Sequence, residues 1–474
     1  MLFSSLEFLF LFLPVTILVY FTVPIAWRNI VLLIFSLIFY GWGEPVYILL
    51  MIFTIAVDYI CGWFTGKYRD SDPKKSRAWM IAAIVINLAL LAFFKYTNLV
   101  IDTLRIIPAL SGIKPLNITL PIGISFYTFQ SLSYVIDVYR RDTPAQKNPF
   151  IFGTYVTLFP QLIAGPIVRY RDVEDELNSR ECNITLIASG IRRTVKGLCK
   201  KVLLANTAGA LWKMCYETPH DELTAVGAWL GIICFSFQIY FDFSGYSDMA
   251  IGMGRIFGFH FLENFNYPYI ADSITDFWRR WHISLSSWFR EYVYFPLGGS
   301  REGTLKTYRN LMIVWLLTGL WHGAAWNFVL WGVYYGVLLI IEKAFLGKLI
   351  AKLPAVFRHI YALFFVIFGW ILFVFDGSVD ALGLSAGFDY VKIMFGGGAG
   401  FISRGDVYEL VRNAFILAVM VLACTPYPKK LYYRLYDRSK LAGITAAIFT
   451  IAAFVLCTAY LVDSSFNPFL YTRF

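Results

Sequence analysis

The sequence predicts an all-α, multi-pass membrane protein, and three observations carry that prediction. Hydrophobic residues make up 58% of the chain and charged ones only 15%, against the roughly 25% charge of a soluble domain. The mean hydropathy is +0.62. Apolar stretches close to the about 20 residues that one helical crossing needs recur from end to end.

In chain order these stretches fall near residues 6–26, 30–42, 45–64, 79–95, 120–137, 150–165, 223–243, 310–320, 325–342, 357–375, 409–425 and 441–463. Several are too short to span alone, which predicts about eleven crossings plus re-entrant or interfacial helices. The first run has no basic region before it and continues past Pro14 without a small-residue cleavage pattern, so a retained helix is expected.

Lys and Arg outnumber Asp and Glu by 41 to 31, a net charge of +10. The basic residues sit in short loops between apolar runs, which is the positive-inside pattern and not a nucleic-acid surface. The loops with Lys67, Arg69, Lys74, Lys75 and Arg77, with Arg140, Arg141 and Lys147, and with Lys429, Lys430, Arg434, Arg438 and Lys440 are therefore expected in the cytoplasm. Counting from them puts both termini outside. The seven cysteines form no CxxC pair and no metal-ligand spacing, so they read as packing residues.

Without internal repeats or a linker, one membrane domain over 1–474 is the simplest organisation. Its expected parts are outer helices at 1–118, a core at 119–345, C-terminal helices at 346–463 and an extracytoplasmic aromatic tail at 464–474. The core mixes apolar runs with Pro, Gly, Arg, Asp and His, a texture tolerated at membrane depth only inside protein or around water. Residues 190–204 alternate basic and apolar at helical spacing and predict a helix lying on the cytoplasmic surface against membrane lipid.

His322 is flanked by apolar residues on both sides, Leu316 to Trp331. A titratable group at membrane depth is a functional-site candidate; the alternative is a core histidine bonded to a carbonyl. Gly319 and Gly323 have the spacing that lets helices approach closely, and Asn327 either orients the ring or caps a turn. Trp278, Trp281, Leu285 and Trp288 form an apolar stripe at helical spacing with His282 on its edge. An interfacial anchoring helix would account for the tryptophans but not for His282. Asp242 needs a partner, for which Arg279 and Arg280 are the candidates, while Asp248 is placed as a helix N-cap; a structural role is favoured for both. There is no GxSxG elbow, no phosphate-binding GxxxxGK[ST], no HExxH and no carboxylate cluster. A metal-independent proton-transfer site with no bound cofactor remains.

Several segments also resemble a known family. They are Met1 to Ser5, Leu120-Pro121-Ile122-Gly123-Ile124-Ser125-Phe126-Tyr127-Thr128-Phe129-Gln130, Ala164-Gly165-Pro166-Ile167, Phe241-Asp242-Phe243-Ser244-Gly245-Tyr246-Ser247-Asp248, Trp281-His282 with Pro296-Leu297-Gly298-Gly299-Ser300-Arg301, and Trp321-His322-Gly323. Together they are similar to the bacterial membrane-bound O-acyltransferases of the alginate-acetylation type, related to peptidoglycan acetyl and teichoic-acid D-alanyl transferases.

That resemblance implies a thin core crossed by a central tunnel, with His322 and His282 as its catalytic pair and Trp281, Trp321, Asn327, Asp242 and Ser286 as candidate lining residues. It implies a cytoplasmic acyl thioester as donor, acetyl-CoA or an acyl carrier protein, in a bacterial inner membrane. The acceptor would be an extracytoplasmic polysaccharide hydroxyl or an SGNH-like acetyltransferase partner. Phe469-Leu470-Tyr471-Thr472-Arg473-Phe474 is similar to a C-terminal motif of these systems whose Tyr471 would carry the acyl group; the residues alone equally describe an interface anchor. D-alanyl transfer is the nearest alternative. A proton-coupled transporter is the alternative from another class, although the inverted repeats it predicts are not found.

Overall fold

In a computed structural model that describes residues 1–375, 383–436 and 440–463, every regular element among them is helical. These residues form two compact units, one from Met1–Thr194 with Tyr246–Leu262, the other from Val195–Gly245 with the described part of Glu263–Leu470. The boundaries expected near 118 and 345 do not coincide with that division.

The first unit holds α1 (Leu13–Thr22), entered through a π-helical turn at Phe8–Phe12, then α2 (Arg28–Gly43), α3 (Ile48–Tyr68), α4 (Pro73–Leu104), α5 (Ile124–Arg140), α6 (Pro149–Thr157), the short α7 (Phe159–Leu162), α8 (Tyr170–Asn178) and the start of α9 (Ile184–Cys199). Asp72 caps α4, accepting from the Lys75 backbone N–H at 3.1 Å, with Pro73 opening the first turn. These outer helices also bury polar groups. Asn87 Nδ2 donates to Asp58 Oδ1 at 2.7 Å, and Lys95 Nζ to Ser125 Oγ at 3.4 Å. Gly62 admits the Tyr134 ring where a Cβ would come within 2.4 Å of it.

The second unit continues α9 into a π-helical turn at Lys200–Ala205, followed by α10 (Asn206–Glu217) and the first part of α11 (Ala225–Ile256). Next come α12 (Ile274–Arg280), α13 (Ile283–Phe289), α14 (Thr304–His322), α15 (Trp326–Ile341), α16 (Gly347–Ile350), α17 (Ala355–Val374), α18 (Leu384–Met394), α19 (Arg404–Ala423), α20 (Tyr427–Tyr436) and α21 (Lys440–Asp463).

Seven helical stretches among the described residues are long and apolar enough to cross a membrane, and α19 with α20, bent by 75°, would make an eighth. Among the described residues the count of eleven is therefore not reached. Runs 120–137 and 150–165 account for part of the difference. The first becomes α5, buried along nearly its whole length. The second breaks at Leu158 and again at Gly165, where a Cβ would lie 2.5 Å from Gln161 Cα. Short helices of this kind are stable at membrane depth only when protein surrounds them.

Two readings of local structure are corrected. Asp248 is not an N-cap: α11 runs unbroken through it, and its carboxylate pairs with Arg193 Nη2 at 2.6 Å. The basic stretch 190–204 is not simply turned out to lipid. Gly190 and Thr194 pack against Gly252, where a Cβ would meet Gly190 O at 2.7 Å, and Gly245 packs against Gly197. That close approach lets Arg193 and Lys201 reach inward.

Candidate active site

The two histidines are placed by different devices. His322 is the last residue of α14, and the chain turns at once into α15. The two helices pack with almost no separation: a Cβ on Gly319 would lie 2.2 Å from Phe328 O, and one on Gly332 would lie 2.4 Å from Trp315 O. The close approach expected at Gly319 is thus made with Gly332. Gly323 serves instead to end the helix, in extended backbone against the Phe328 ring. His322 is only 3% exposed, walled by Trp321 and Trp331 at 5.1 Å and Phe373 at 5.4 Å between ring centroids.

His282 stands at a break. The stripe Trp278, Trp281, Leu285 and Trp288 predicted one continuous helix, but the chain makes two short ones, and His282 between them has φ 44° and ψ 55°. This left-handed conformation is uncommon for a non-glycine residue and costs on the order of 1–3 kcal/mol. Backbone hydrogen bonds from an irregular neighbouring segment hold it: Ile283 N–H donates to Asn264 O at 3.0 Å, and Asn266 N–H donates to Arg280 O at 2.9 Å. His282 is 1% exposed and lies outside the candidate spans. Burial pushes its imidazole well below the ordinary histidine value, so the neutral ring is the resting form.

Trp321 brings the two together. Its indole lies 5.8 Å from the His282 ring and 5.1 Å from the His322 ring. Phe243 closes the other side of His282 at 4.7 Å. Trp281 stacks on Phe277 at 5.6 Å and packs on Trp370 at 4.9 Å; Trp370 in turn meets Phe373, the wall of His322. A continuous aromatic surface thus encloses two imidazoles, an environment from which water is largely excluded.

The remaining candidates occupy distinct positions. Asn327 neither bonds the His322 ring nor caps its own turn; its Nδ2 donates to Leu372 O at 3.1 Å and Phe373 O at 3.4 Å, holding the end of α17 beside His322. Asp242, 1% exposed, pairs with Lys201 at 2.8 Å and not with Arg279 or Arg280, since Arg280 is engaged by Asp276 at 2.8 Å. Ser286 is exposed and bonds Trp278 O at 3.5 Å; the serine within reach of His282 is Ser284, whose Oγ lies 3.5 Å from Nδ1. Tyr471 lies outside the described residues.

Sequence reasoning missed Asn264 and Glu342. Glu342, buried near the end of α15, accepts from the backbone N–H groups of Ile274 (2.7 Å) and Thr275 (2.9 Å), from Thr275 Oγ1 (2.6 Å) and from Tyr361 Oη (3.1 Å). It ties α12, which ends next to His282, to α15 and α17. The acidic residue inside a mostly apolar run was the available signal.

Two buried imidazoles thus meet at one indole, in a chain with seven candidate spans among the described residues, an arrangement suited to proton transfer inside a multi-pass membrane protein. Residues 146–379, which contain both histidines, match the membrane-bound O-acyltransferase family. A "probable alginate O-acetylase AlgI" from Pseudomonas aeruginosa is 42% identical over 89% of this chain and 81% of its own length. A "peptidoglycan O-acetyltransferase" from Helicobacter pylori is 35% identical over 79% of this chain and 77% of its own. A "teichoic acid D-alanyltransferase" from Bacillus subtilis is 30% identical over 49% and 61%. The chain belongs to the membrane-bound O-acyltransferase family and is an acyltransferase, which sets aside the transporter reading of His322.

Proposed function

We propose that this protein transfers an acyl group, acetyl foremost, from a cytoplasmic thioester across the bacterial inner membrane to a hydroxyl of an extracytoplasmic polysaccharide or to a partner acetyltransferase. The observation that carries the reading is the pair His282 and His322 meeting at Trp321. A neutral imidazole takes the proton of the attacking hydroxyl. The new oxygen–carbon bond forms as the carbon–sulfur bond breaks, and the thiolate leaving toward the cytoplasm takes up the proton. Exclusion of water suppresses hydrolysis of the thioester. Coenzyme A and an acyl carrier protein are the two donor forms this chemistry accepts, and neither needs a bound cofactor or metal. Acetyl is favoured over D-alanyl because likeness to the acetyl-transferring relatives extends over far more of the chain.

The test is transfer of labelled acetyl from acetyl-CoA to polymer by membranes carrying wild type, His322→Ala or His282→Gln at equal protein. Loss of a general base lowers the rate by about 100-fold to 10,000-fold. A His322→Ala protein that extracts and elutes like wild type and still transfers at the wild-type rate would refute the role of His322. Transfer of D-alanine but not acetyl by wild type would move the substrate to the second reading.

A further inference from the structure

We infer that Asn264 is a positioning residue that holds His282 in the Nδ1–H tautomer and so leaves Nε2 as its basic nitrogen. The inference rests on the role proposed above for His282.

Asn264 is 1% exposed. Its side-chain oxygen accepts from the Ser284 backbone N–H at 3.2 Å and from Ser284 Oγ at 3.0 Å, and it faces His282 Nδ1 at 3.2 Å. A backbone N–H can only donate. The atom of the Asn264 amide that meets Ser284 is therefore the oxygen and not the nitrogen. An amide oxygen can only accept, so the His282 nitrogen in front of it bears the proton. In a neutral imidazole the other nitrogen, Nε2, then carries the lone pair.

The same residue also fixes the ring's origin. Asn264 O accepts from Ile283 N–H, the first helical residue after His282, and thereby pins the left-handed backbone from which the ring projects. One asparagine thus sets both the place of the imidazole and the identity of the nitrogen that can take a proton. Leucine has similar volume and no acceptor. Aspartate keeps an acceptor oxygen in the same position.

The test uses full-length protein labelled with ¹⁵N-histidine and reconstituted in lipid, with the His282 signals assigned by their loss in His282→Gln. Wild type is expected to show a protonated Nδ1 and an unprotonated Nε2. Asn264→Leu should lose that preference and lower kcat by on the order of tenfold or more with little change in KM, while Asn264→Asp should keep Nδ1 protonated and recover transfer relative to leucine. An unprotonated Nδ1 in wild type overturns the inference without recourse to any Asn264 variant, as does an Asn264→Leu spectrum identical to wild type. Equal loss of transfer in the two variants also overturns it. Full transfer by His282→Gln would defeat the role of His282 while leaving the tautomer result standing, so the two failures are distinct.

Discussion

Lys201 and Asp242 form an ion pair at 2.8 Å with side chains 5% and 1% exposed, joining the π-helical turn after α9 to the middle of α11. Removing one member of such a pair leaves an uncompensated buried charge, whereas replacing both by apolar groups is far less costly. Lys201→Met is expected to destabilise the protein by about 3–5 kcal/mol. Lys201→Met combined with Asp242→Leu should recover most of that loss in thermal unfolding of detergent-solubilised protein. A double variant no better than the single one would show that Asp242 contributes through something other than the pair.

Gly332 offers a second, independent test. A side chain there would strike the Trp315 carbonyl and push α15 away from α14, displacing the wall around His322. Gly332→Leu is expected to cost at least about 1–3 kcal/mol, the usual penalty of overpacking, and to reduce acyl transfer in whatever protein folds. Wild-type transfer at wild-type stability would mean that the hairpin separates without consequence for the site.

Arg279 can report sidedness, because it is exposed whereas His282 beside it is buried. With Arg279→Cys in a background lacking native cysteines, a membrane-permeant thiol reagent should label the protein in intact cells, and an impermeant one added outside should not. Labelling by the impermeant reagent would place this end of α12 outside and reverse the proposed direction of donor approach.

Tyr471 separates a covalent carrier from an anchor. A phenol has a pKa near 10, low enough for histidine to assist its attack on a thioester, and its aryl ester stays reactive toward a second acceptor. Tyr471→Phe keeps the aromatic ring and loses the oxygen. Transfer to polymer is expected to fall while thioester consumption without polymer product does not rise; undiminished polymer acylation would make Tyr471 an anchor only.

The membrane class was legible because it depends on composition, and both histidines stood out as candidates because of the cost of a titratable group at apolar depth. The break at His282 was not legible. Its flanking tryptophans carry a helical period, and bonds with the distant segment that holds Asn264 and Asn266 override that local preference. Asn264 itself lies in an irregular segment where no periodicity marks it. The partner of Asp242 was sought among the arginines of its own motif, whereas Lys201 comes from a helix whose basic residues read as lipid-facing. Pairing across elements is a tertiary fact, and a one-dimensional pattern holds it only as a list of candidates.

The carboxylate of Glu342 meets the start of α12 across 68 positions of sequence, and this has a consequence in time. During synthesis the segment leading to His282 emerges long before the residue that anchors it. A nascent chain stopped short of Glu342 therefore carries an α12 without its Glu342 contacts. A product truncated before Glu342 thus holds the sequence around both histidines but lacks the carboxylate that fastens α12.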